Sequence, residues 1–152
     1  MSSIFEKLNI KDAREIVVLN APSSFESELA LLVGVKILRS LQRIKNLNFA
    51  LAFVVTQADL DALSTALTTK AVADATLWFA YPKKSSKKYR CEFNRDSGWD
   101  VLRTAGYDSV RMVAIDADWS ALRFRKLEFI KSLGRNLAPA LAQAGRQGAG
   151  AK

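Results

Sequence analysis

Apolar residues recur along the 152-residue chain in short, nearly continuous runs that polar, turn-forming segments separate. Runs rich in β-branched and aromatic residues suit strands that are covered on both faces of a sheet. We predict buried strands at residues 14–20, 49–55, 75–81 and 110–115. The run at 35–38 is open to two interpretations, strand or helix. Its residue Ile37 shares the spacing of a helical face with Leu41 and Ile44.

Between these runs the apolar residues recur with helical spacing. Phe25, Leu29 and Leu32 define one buried face of a first helix. Ser23 and Glu26 lie three residues apart, which predicts a capping box where this helix begins.

Two more helices are predicted downstream. Thr56 and Asp59 form a capping-box-like start for the first of them. Its buried stripe comprises Leu60, Leu63 and Leu67. The second is expected to begin at an Asn94 or Asp96 cap and to end at Gly106.

The chain closes with a predicted antiparallel hairpin, formed by the runs at 110–115 and 121–125 around a short turn. Residues 127–133 add one or two helical turns. The segment 134–152 is basic and rich in Ala and Gly, so we expect a mobile tail. The domain prediction is a single α/β domain at 1–133 followed by this tail.

Strands that alternate with helices indicate a mostly parallel sheet with helices on both faces. The closing hairpin adds one antiparallel strand. We therefore predict an α/β fold, a three-layer twisted sheet that is mostly parallel and has a C-terminal antiparallel hairpin. This order resembles the second half of a Rossmann-like methyltransferase sheet, which ends strand–helix–strand–helix–strand–strand with the last strand reversed. The resemblance is one of topology.

Histidine is absent and cysteine occurs once, at Cys91. Nucleophile systems of the Ser-His-Asp and Cys-His types are therefore excluded, and the common zinc sites lack their ligands. We predict no metal and no internal disulfide, which fits a reducing compartment. Basic neighbours would lower the pKa of Cys91, but a lone cysteine without a base or a resolving partner is more often inert.

No apolar run approaches the roughly 20 residues that cross a bilayer, and the first residues do not read as a secretory signal. We expect a soluble, cytoplasmic protein without a membrane partner. The net charge of +8 is typical of proteins that attract anionic partners, and also occurs in proteins that are merely basic.

The stretch that organises this interpretation is the apolar run at 77–81, which Pro82 and a series of lysines follow. Proline ends sheet pairing, so the lysines should form a loop at the carboxyl end of a central strand, where open α/β sheets bind ligands. Residues 81–95 carry six cations and one carboxylate, a net charge of +5. The candidate ligand-binding residues of this region are Tyr81, Lys83, Lys84, Lys87, Asn94, Arg95 and Asp96.

Three interpretations of this basic loop remain open. Lysines and backbone N–H groups at a helix start would hold a phosphate or a carboxylate. The rings of Tyr81, Tyr89 and Phe93, which lie among the charges, would stack on nucleic-acid bases. Alternatively, the loop is a solvated surface whose charges aid solubility.

A second candidate cluster follows the strand at 110–115. Asp116 and Asp118 beside Trp119 would bind a cation or act as acid and base, although a tight turn also favours Asp for backbone reasons. Arg123 and Arg125 share a strand face and are expected to pair with these aspartates. Asp118, Trp119 and Arg123 complete the set of candidate ligand-binding residues.

A methyltransferase needs a close backbone approach to its cofactor after the first strand, and an acidic residue after the second to hold ribose hydroxyls. The turn at 20–24 contains no glycine, and Arg39 and Ser40 stand where the acidic residue is expected. The chain also lacks a Walker-type loop. We therefore predict that no cofactor binds.

The segments 77–86, 94–99 and 116–124 together resemble a family of small bacterial proteins of unknown function, and the resemblance extends over most of 14–126. It implies the fold and brings no activity with it. The predicted function is a non-catalytic binding or scaffold protein whose partner is a small anion or a protein. The alternatives are a small, degenerate methyltransferase-like enzyme with an anionic substrate, and a weak nucleic-acid binder.

Overall fold

A computed structural model of the chain describes residues 3–11, 13–94 and 97–133. In these residues six strands form a single sheet. Their bounds are β1 Glu15–Leu19, β2 Lys36–Leu38, β3 Leu47–Phe53, β4 Ala71–Pro82, β5 Tyr107–Ala114 and β6 Trp119–Lys126. The ambiguous run at 35–38 is therefore a strand, and the Ala- and Gly-rich tail lies outside the described residues.

Five α-helices connect or flank the strands in the described part of the chain. They are α1 Ser3–Lys7, α2 Glu26–Ala30, α3 Gln57–Lys70, α4 Asp100–Thr104 and α5 Leu127–Leu133, and a 3-10 turn, Ser23–Phe25, leads into α2. No helix in the described ranges has the length and apolar character that a membrane crossing requires.

The strand order across the sheet is β2-β1-β3-β4-β6-β5. The strands from β2 to β4 pair in parallel, whereas β6 runs antiparallel to both β4 and β5. This arrangement confirms the predicted α/β fold with its C-terminal antiparallel hairpin. We call the edge at which β1 to β4 end the carboxyl edge, and the edge at which they begin the amino edge.

Each face of the sheet has its own core. The face covered by α3 and α4, here the α3 face, buries residues that include Leu60, Phe79 and Trp99. The face covered by α1 and α2, here the α2 face, buries residues that include Phe25, Phe53 and Trp78. Because strand side chains alternate between faces, the nearly continuous apolar runs supply both cores at once.

The N-terminal segment is fastened across the α2 face. Phe5 and Leu8 are fully buried there. The buried indole Nε1 of Trp78 donates to the carbonyl of Leu8 at 2.8 Å. A buried N–H that lacks an acceptor destabilises the fold, so this bond fixes where the segment crosses the sheet.

Of the predicted helix starts, one is confirmed and two are wrong. The hydroxyl of Thr56 accepts the N–H of Asp59 at 3.1 Å, which confirms the start of α3. The Ser23 capping box is wrong, because Pro22 precedes the 3-10 turn without a side-chain cap. The Asn94 cap is also wrong, since α4 begins after Trp99 without a side-chain cap, and Asp96 lies outside the described residues.

Candidate functional site

The sheet has one topological switch point, between β1 and β3. From β1 the chain passes through α2 to β2 on one side, and it later returns to place β3 on the other side. Buried residues of α2 belong to the α2 face, whereas those of α3 belong to the α3 face. The two connections therefore diverge at the carboxyl edge, and the region between them, here called the crevice, is where open α/β sheets bind ligands.

One wall of this crevice is the turn after β1. Asn20 is exposed and has a φ of +59°, a left-handed conformation that favours glycine. Asparagine adopts this conformation more readily than other side chains do. The absence of glycine from the turn therefore does not prevent the chain from turning tightly there, which weakens the sequence argument against a cofactor.

The exit of β2 carries an ion pair that the sequence did not predict. The two guanidinium nitrogens of Arg39 lie 2.9 and 3.0 Å from the two carboxylate oxygens of Glu26. About half of each side chain is exposed, at 49% for Arg39 and 48% for Glu26. Hydrogen bonding to Arg39 lowers the pKa of Glu26 below its ordinary value, and the same bonds raise the pKa of Arg39. A carboxylate thus reaches the end of β2 from another element.

The exit of β3 is closed by the loop that follows β4. The carboxylate of Glu92 accepts the backbone N–H of Gln57 at 2.8 Å, at the start of α3. The Gln57 side-chain amide in turn donates to Asp61 and to the carbonyl of Gly98, both at 2.8 Å. An acidic side chain at a helix N-terminus is favourable, so these contacts fasten the loop to α3.

Residues 83–99, here called the basic loop, are also fastened to the hairpin. The backbone N–H of Lys83 donates to the Asp118 carbonyl at 2.7 Å, and the Ser86 hydroxyl donates to the Asp118 carboxylate at 2.8 Å. Lys84 and Lys87 are exposed, and Lys83 is half-buried. The structure therefore places these three lysines and Asp118 together at the carboxyl edge.

The aromatic residues of this region pack inside the protein. Tyr81 is buried on the α3 face, with its ring centroid 6.1 Å from Phe93 and 5.6 Å from Trp99. Tyr89 instead contacts Trp119 at 4.9 Å, on the α2 face. The buried rings of Tyr81 and Phe93 are not exposed for base stacking, whereas Tyr89 is half-buried.

The aspartates of the hairpin turn hold backbone groups. One carboxylate oxygen of Asp116 accepts the N–H groups of Asp118 and Trp119 at 2.8 and 2.9 Å. Trp119 is buried against Phe53, with centroids 5.1 Å apart. These contacts are the backbone role that a tight turn predicts. Across the described residues no group of three or more metal-binding side chains occurs.

The remaining candidates do not join this cluster. The side-chain oxygen of Asn94 accepts the N–H of Ser97 at 3.0 Å, and the candidates Arg95 and Asp96 lie outside the described residues. Arg123 lies four residues along β6 from Trp119, roughly 13 Å away towards the amino edge. The eight candidates among the described residues therefore do not all lie together.

The predicted pairing of the arginines with the turn aspartates is wrong. Arg125 forms a two-point ion pair with Asp74, in which its Nε lies 2.7 Å from one carboxylate oxygen. Arg123 Nη2 lies 3.4 Å from the hydroxyl of Thr76. Because β6 is antiparallel to β4, these side chains meet the start of β4 and not the turn.

Cys91 is half-buried, and burial raises the pKa of its thiol above the ordinary value. Backbone N–H groups of Phe93 and Glu92 oppose this shift. The net direction is opposite to the one that a reactive cysteine requires.

No protein-family model matches the sequence, and a search of curated proteins finds no significant similarity. Solved structures do share the fold. A SAM-dependent methyltransferase from Aquifex aeolicus superposes with a TM-score of 0.57 at 13% identity, over 82% of this chain and 88% of that one. Magnesium protoporphyrin IX methyltransferase from Synechocystis gives 0.52 at 10% identity, over 81% and 74%. The fibrillarin pre-rRNA processing protein of Methanococcus jannaschii gives 0.50 at 10%, over 77% and 68%.

This comparison supports a Rossmann-like, methyltransferase-like α/β fold for the chain. It also contradicts the predicted function. The non-catalytic scaffold is the wrong interpretation, because several solved structures that share this sheet are methyltransferases.

Proposed function

We propose that this protein binds S-adenosylmethionine at the carboxyl edge of its sheet and transfers the methyl group to a small anionic acceptor. The observation that carries the proposal is the reversal of strand order between β1 and β3, in a sheet that superposes on SAM-dependent methyltransferases. Ligands of open α/β sheets bind at such a point.

The residues around the crevice fit the cofactor in two respects. Asn20 supplies the left-handed turn that brings backbone close to a ligand. The half-exposed carboxylate of Glu26 stands at the end of β2, where ribose hydroxyls need an acceptor, and Arg39 orients it. Pro22 contributes no N–H, so the turn has one backbone donor fewer than a glycine-rich loop would have. Bound S-adenosylmethionine supplies an electrophilic methyl group.

The basic loop favours an acceptor that is already negatively charged. Lys83, Lys84 and Lys87 concentrate positive charge at the same edge as the crevice. One oxygen each of Asp118 and Glu92 accepts a hydrogen bond that fastens the loop, and neither carboxylate is assigned the role of general base. An anionic acceptor needs no proton removed before it reacts, which suits an edge built in this way.

The test is isothermal titration of the full-length protein with S-adenosylmethionine and with its demethylated product. We expect saturable binding of both compounds. Glu26→Gln should weaken it about tenfold, because a hydrogen bond to a charged acceptor becomes one to a neutral acceptor. Ser23→Trp, which places a large ring on the exposed turn, should abolish binding. Glu15→Gln is the matched control, since Glu15 is exposed at the opposite end of β1.

The absence of binding by the wild-type protein at millimolar ligand would overturn the proposal, as would binding that Ser23→Trp leaves unchanged. Once binding is established, transfer is measured with methyl-labelled cofactor and acceptors that carry a carboxylate or a phosphate. The double variant Lys83→Ala/Lys84→Ala should then raise KM for the acceptor and leave cofactor binding intact.

A further inference from the structure

A cavity of about 550 Å³ opens at the amino edge of the sheet, on the α2 face, far from the crevice. It lies between the N-terminal segment and the starts of β3 and β4. Thr76, which lines it, is six residues from the end of β4, roughly 20 Å from the carboxyl edge. Cavities of this volume accept small molecules.

The cavity is cationic. Its described lining contains three cations and one carboxylate, a net charge of +2, contributed by Lys11, Arg123, Arg125 and Asp74. Arg125 and Asp74 neutralise one another in their ion pair. Arg123 forms no ion pair among the described residues, although Asp74 also attracts it electrostatically and so raises its pKa.

Arg123 is incompletely satisfied where it stands. Its Nε is buried and has no hydrogen-bond partner in the described part of the chain, and its Nη2 makes only a long contact, 3.4 Å, with the Thr76 hydroxyl. Burial lowers the pKa of Arg123, and repulsion from Arg125 adds to this, although a guanidinium stays protonated in proteins. Arg123 as a whole is half-buried, but a buried N–H without an acceptor is unfavourable. An anion in the cavity would offset this penalty.

A second cation lies next to Arg123 on the neighbouring strand. Arg111 of β5 pairs in register with Arg123 of β6, so the two side chains share a face. Like charges that oppose one another in an antiparallel pair destabilise it. Arg111 is exposed, so water screens much of this repulsion, and the remainder favours a bound anion.

The N-terminal segment, which forms another wall of the cavity, contains backbone in the left-handed region. Asn9 and Lys11 both line the cavity and have positive φ values of 64° and 52°. Left-handed backbone at a lysine is unfavourable and persists only where the surroundings impose it. The hydrogen bond from Trp78 and the burial of Ile10 hold the segment against the sheet.

We propose that the amino-edge cavity binds a small phosphate monoester through Arg123, with Lys11 and Arg125 beside it. A phosphate monoester carries a charge of about −2 at neutral pH, which balances the net charge of the described lining. The planar guanidinium fork matches two phosphate oxygens, and the volume leaves room for the organic part of the ligand. The site lies apart from the crevice and does not depend on methyl transfer.

The test is a thermal-shift titration of the full chain with inorganic phosphate and with ribose 5-phosphate, at constant ionic strength in chloride buffer. Binding to the folded state raises Tm by mass action. We expect both compounds to raise Tm and ribose 5-phosphate to act at the lower concentration. Arg123→Met should require at least about tenfold more ligand for the same shift, because the charged fork is lost.

Two further variants separate a site from a general charge effect. Arg90→Met removes the same charge from the exposed basic loop at the other edge and should respond like the wild type. Arg123→Lys keeps the charge and loses the fork, so its response should be intermediate. Without ligand, Arg123→Met should melt at or above the wild-type Tm, because an unsatisfied charge has been removed.

The proposal is overturned by a wild-type protein whose Tm responds to the phosphates no more than to added chloride. It is equally overturned if Arg123→Met keeps the full response or if Arg90→Met loses it. Titration of Arg123→Met with S-adenosylmethionine should give the wild-type affinity, since the two sites are independent.

Discussion

The two edges of the sheet use their polar side chains in opposite ways. At the carboxyl edge, the polar groups of the basic loop hold one another, as Glu92 caps α3 and Asp118 accepts from Ser86. At the amino edge, the Nε of Arg123 is buried without a partner in the described chain, and Arg111 stands opposite it. The carboxylates of the basic loop therefore stabilise the fold and leave its lysines to the proposed acceptor, whereas the Nε of Arg123 has no acceptor among the described residues.

The difference also separates stability from function. Groups that satisfy one another stabilise the fold when they are intact, so their removal should destabilise it. Groups whose partner is a bound ligand should contribute little to the stability of the ligand-free protein, or should even lower it. Substitutions at the two edges should therefore differ in sign and in their dependence on ligand.

The largest effect is expected at Gly98, where the basic loop meets α3. A Cβ at this position would lie 2.6 Å from the Cβ of Phe93 and 2.9 Å from the side-chain oxygen of Gln57, and φ is +100°. Gly98→Ala should therefore lower the free energy of unfolding by about 2–5 kcal/mol, from overpacking and left-handed backbone together. Urea denaturation followed by tryptophan fluorescence measures the loss.

Gly34→Ala is the control for the backbone contribution alone. Gly34 has a φ of +72°, and a Cβ there would meet nothing within 4 Å. This variant should lose only about 1–2 kcal/mol. Equal losses in the two variants would mean that the loop does not pack tightly on α3, and the contrast between the edges would weaken.

A smaller effect is expected at Asp74, on the amino edge, where a substitution should lower stability but strengthen phosphate binding. Asp74→Asn leaves Arg125 without its carboxylate, and the side chains are 32% and 17% exposed in the pair. The empty protein should lose about 1–2 kcal/mol of unfolding free energy, less than the loss at a fully buried pair. Phosphate should bind the variant more tightly, because the described lining then carries +3 in place of +2.

The same urea denaturation, run with and without phosphate, measures both the loss of unfolding free energy and the change in phosphate binding. Glu15→Gln serves as the control, because it removes a carboxylate that does not line the cavity. Weaker phosphate binding by Asp74→Asn would contradict an anion site, and would indicate that Asp74 positions Arg125 for some other purpose.

The fold could be predicted from the sequence because its evidence is local. The apolar runs that became β1, β3 and β4 are buried on both faces and therefore carry no polar alternation. The cap at Thr56 is likewise local, because it joins two residues that lie three positions apart in the sequence. The order of elements along the chain was sufficient to predict the parallel sheet and its antiparallel hairpin.

The sites could not be predicted in the same way because their evidence is long-range. Glu26 and Arg39 lie 13 positions apart, and Arg125 and Asp74 lie 51 apart, so no spacing rule connects them. The density of charged residues in the sequence indicated a site at the basic loop. In the structure, Glu92 and Asp118 accept hydrogen bonds that fasten this loop to its neighbours. The sequence contains no local signal that Arg123 would be buried without an acceptor.

The smallest effect concerns Cys91, and it tests whether the basic loop is as closely packed as its contacts indicate. Burial raises the pKa of the thiol, so alkylation by iodoacetamide near neutral pH should be slower than that of a free thiol. Denaturant should restore the free rate, and Cys91→Ser, which removes the one thiol of the chain, sets the background.

The same shift fixes a direction for stability against pH. A raised pKa in the folded state means that the thiol form is favoured by folding, so this stabilisation is complete below the unfolded pKa. It is lost as pH rises from the unfolded value through the folded one. Alkylation faster than that of a free thiol would mean that the basic cluster prevails over burial and that the loop opens from the sheet.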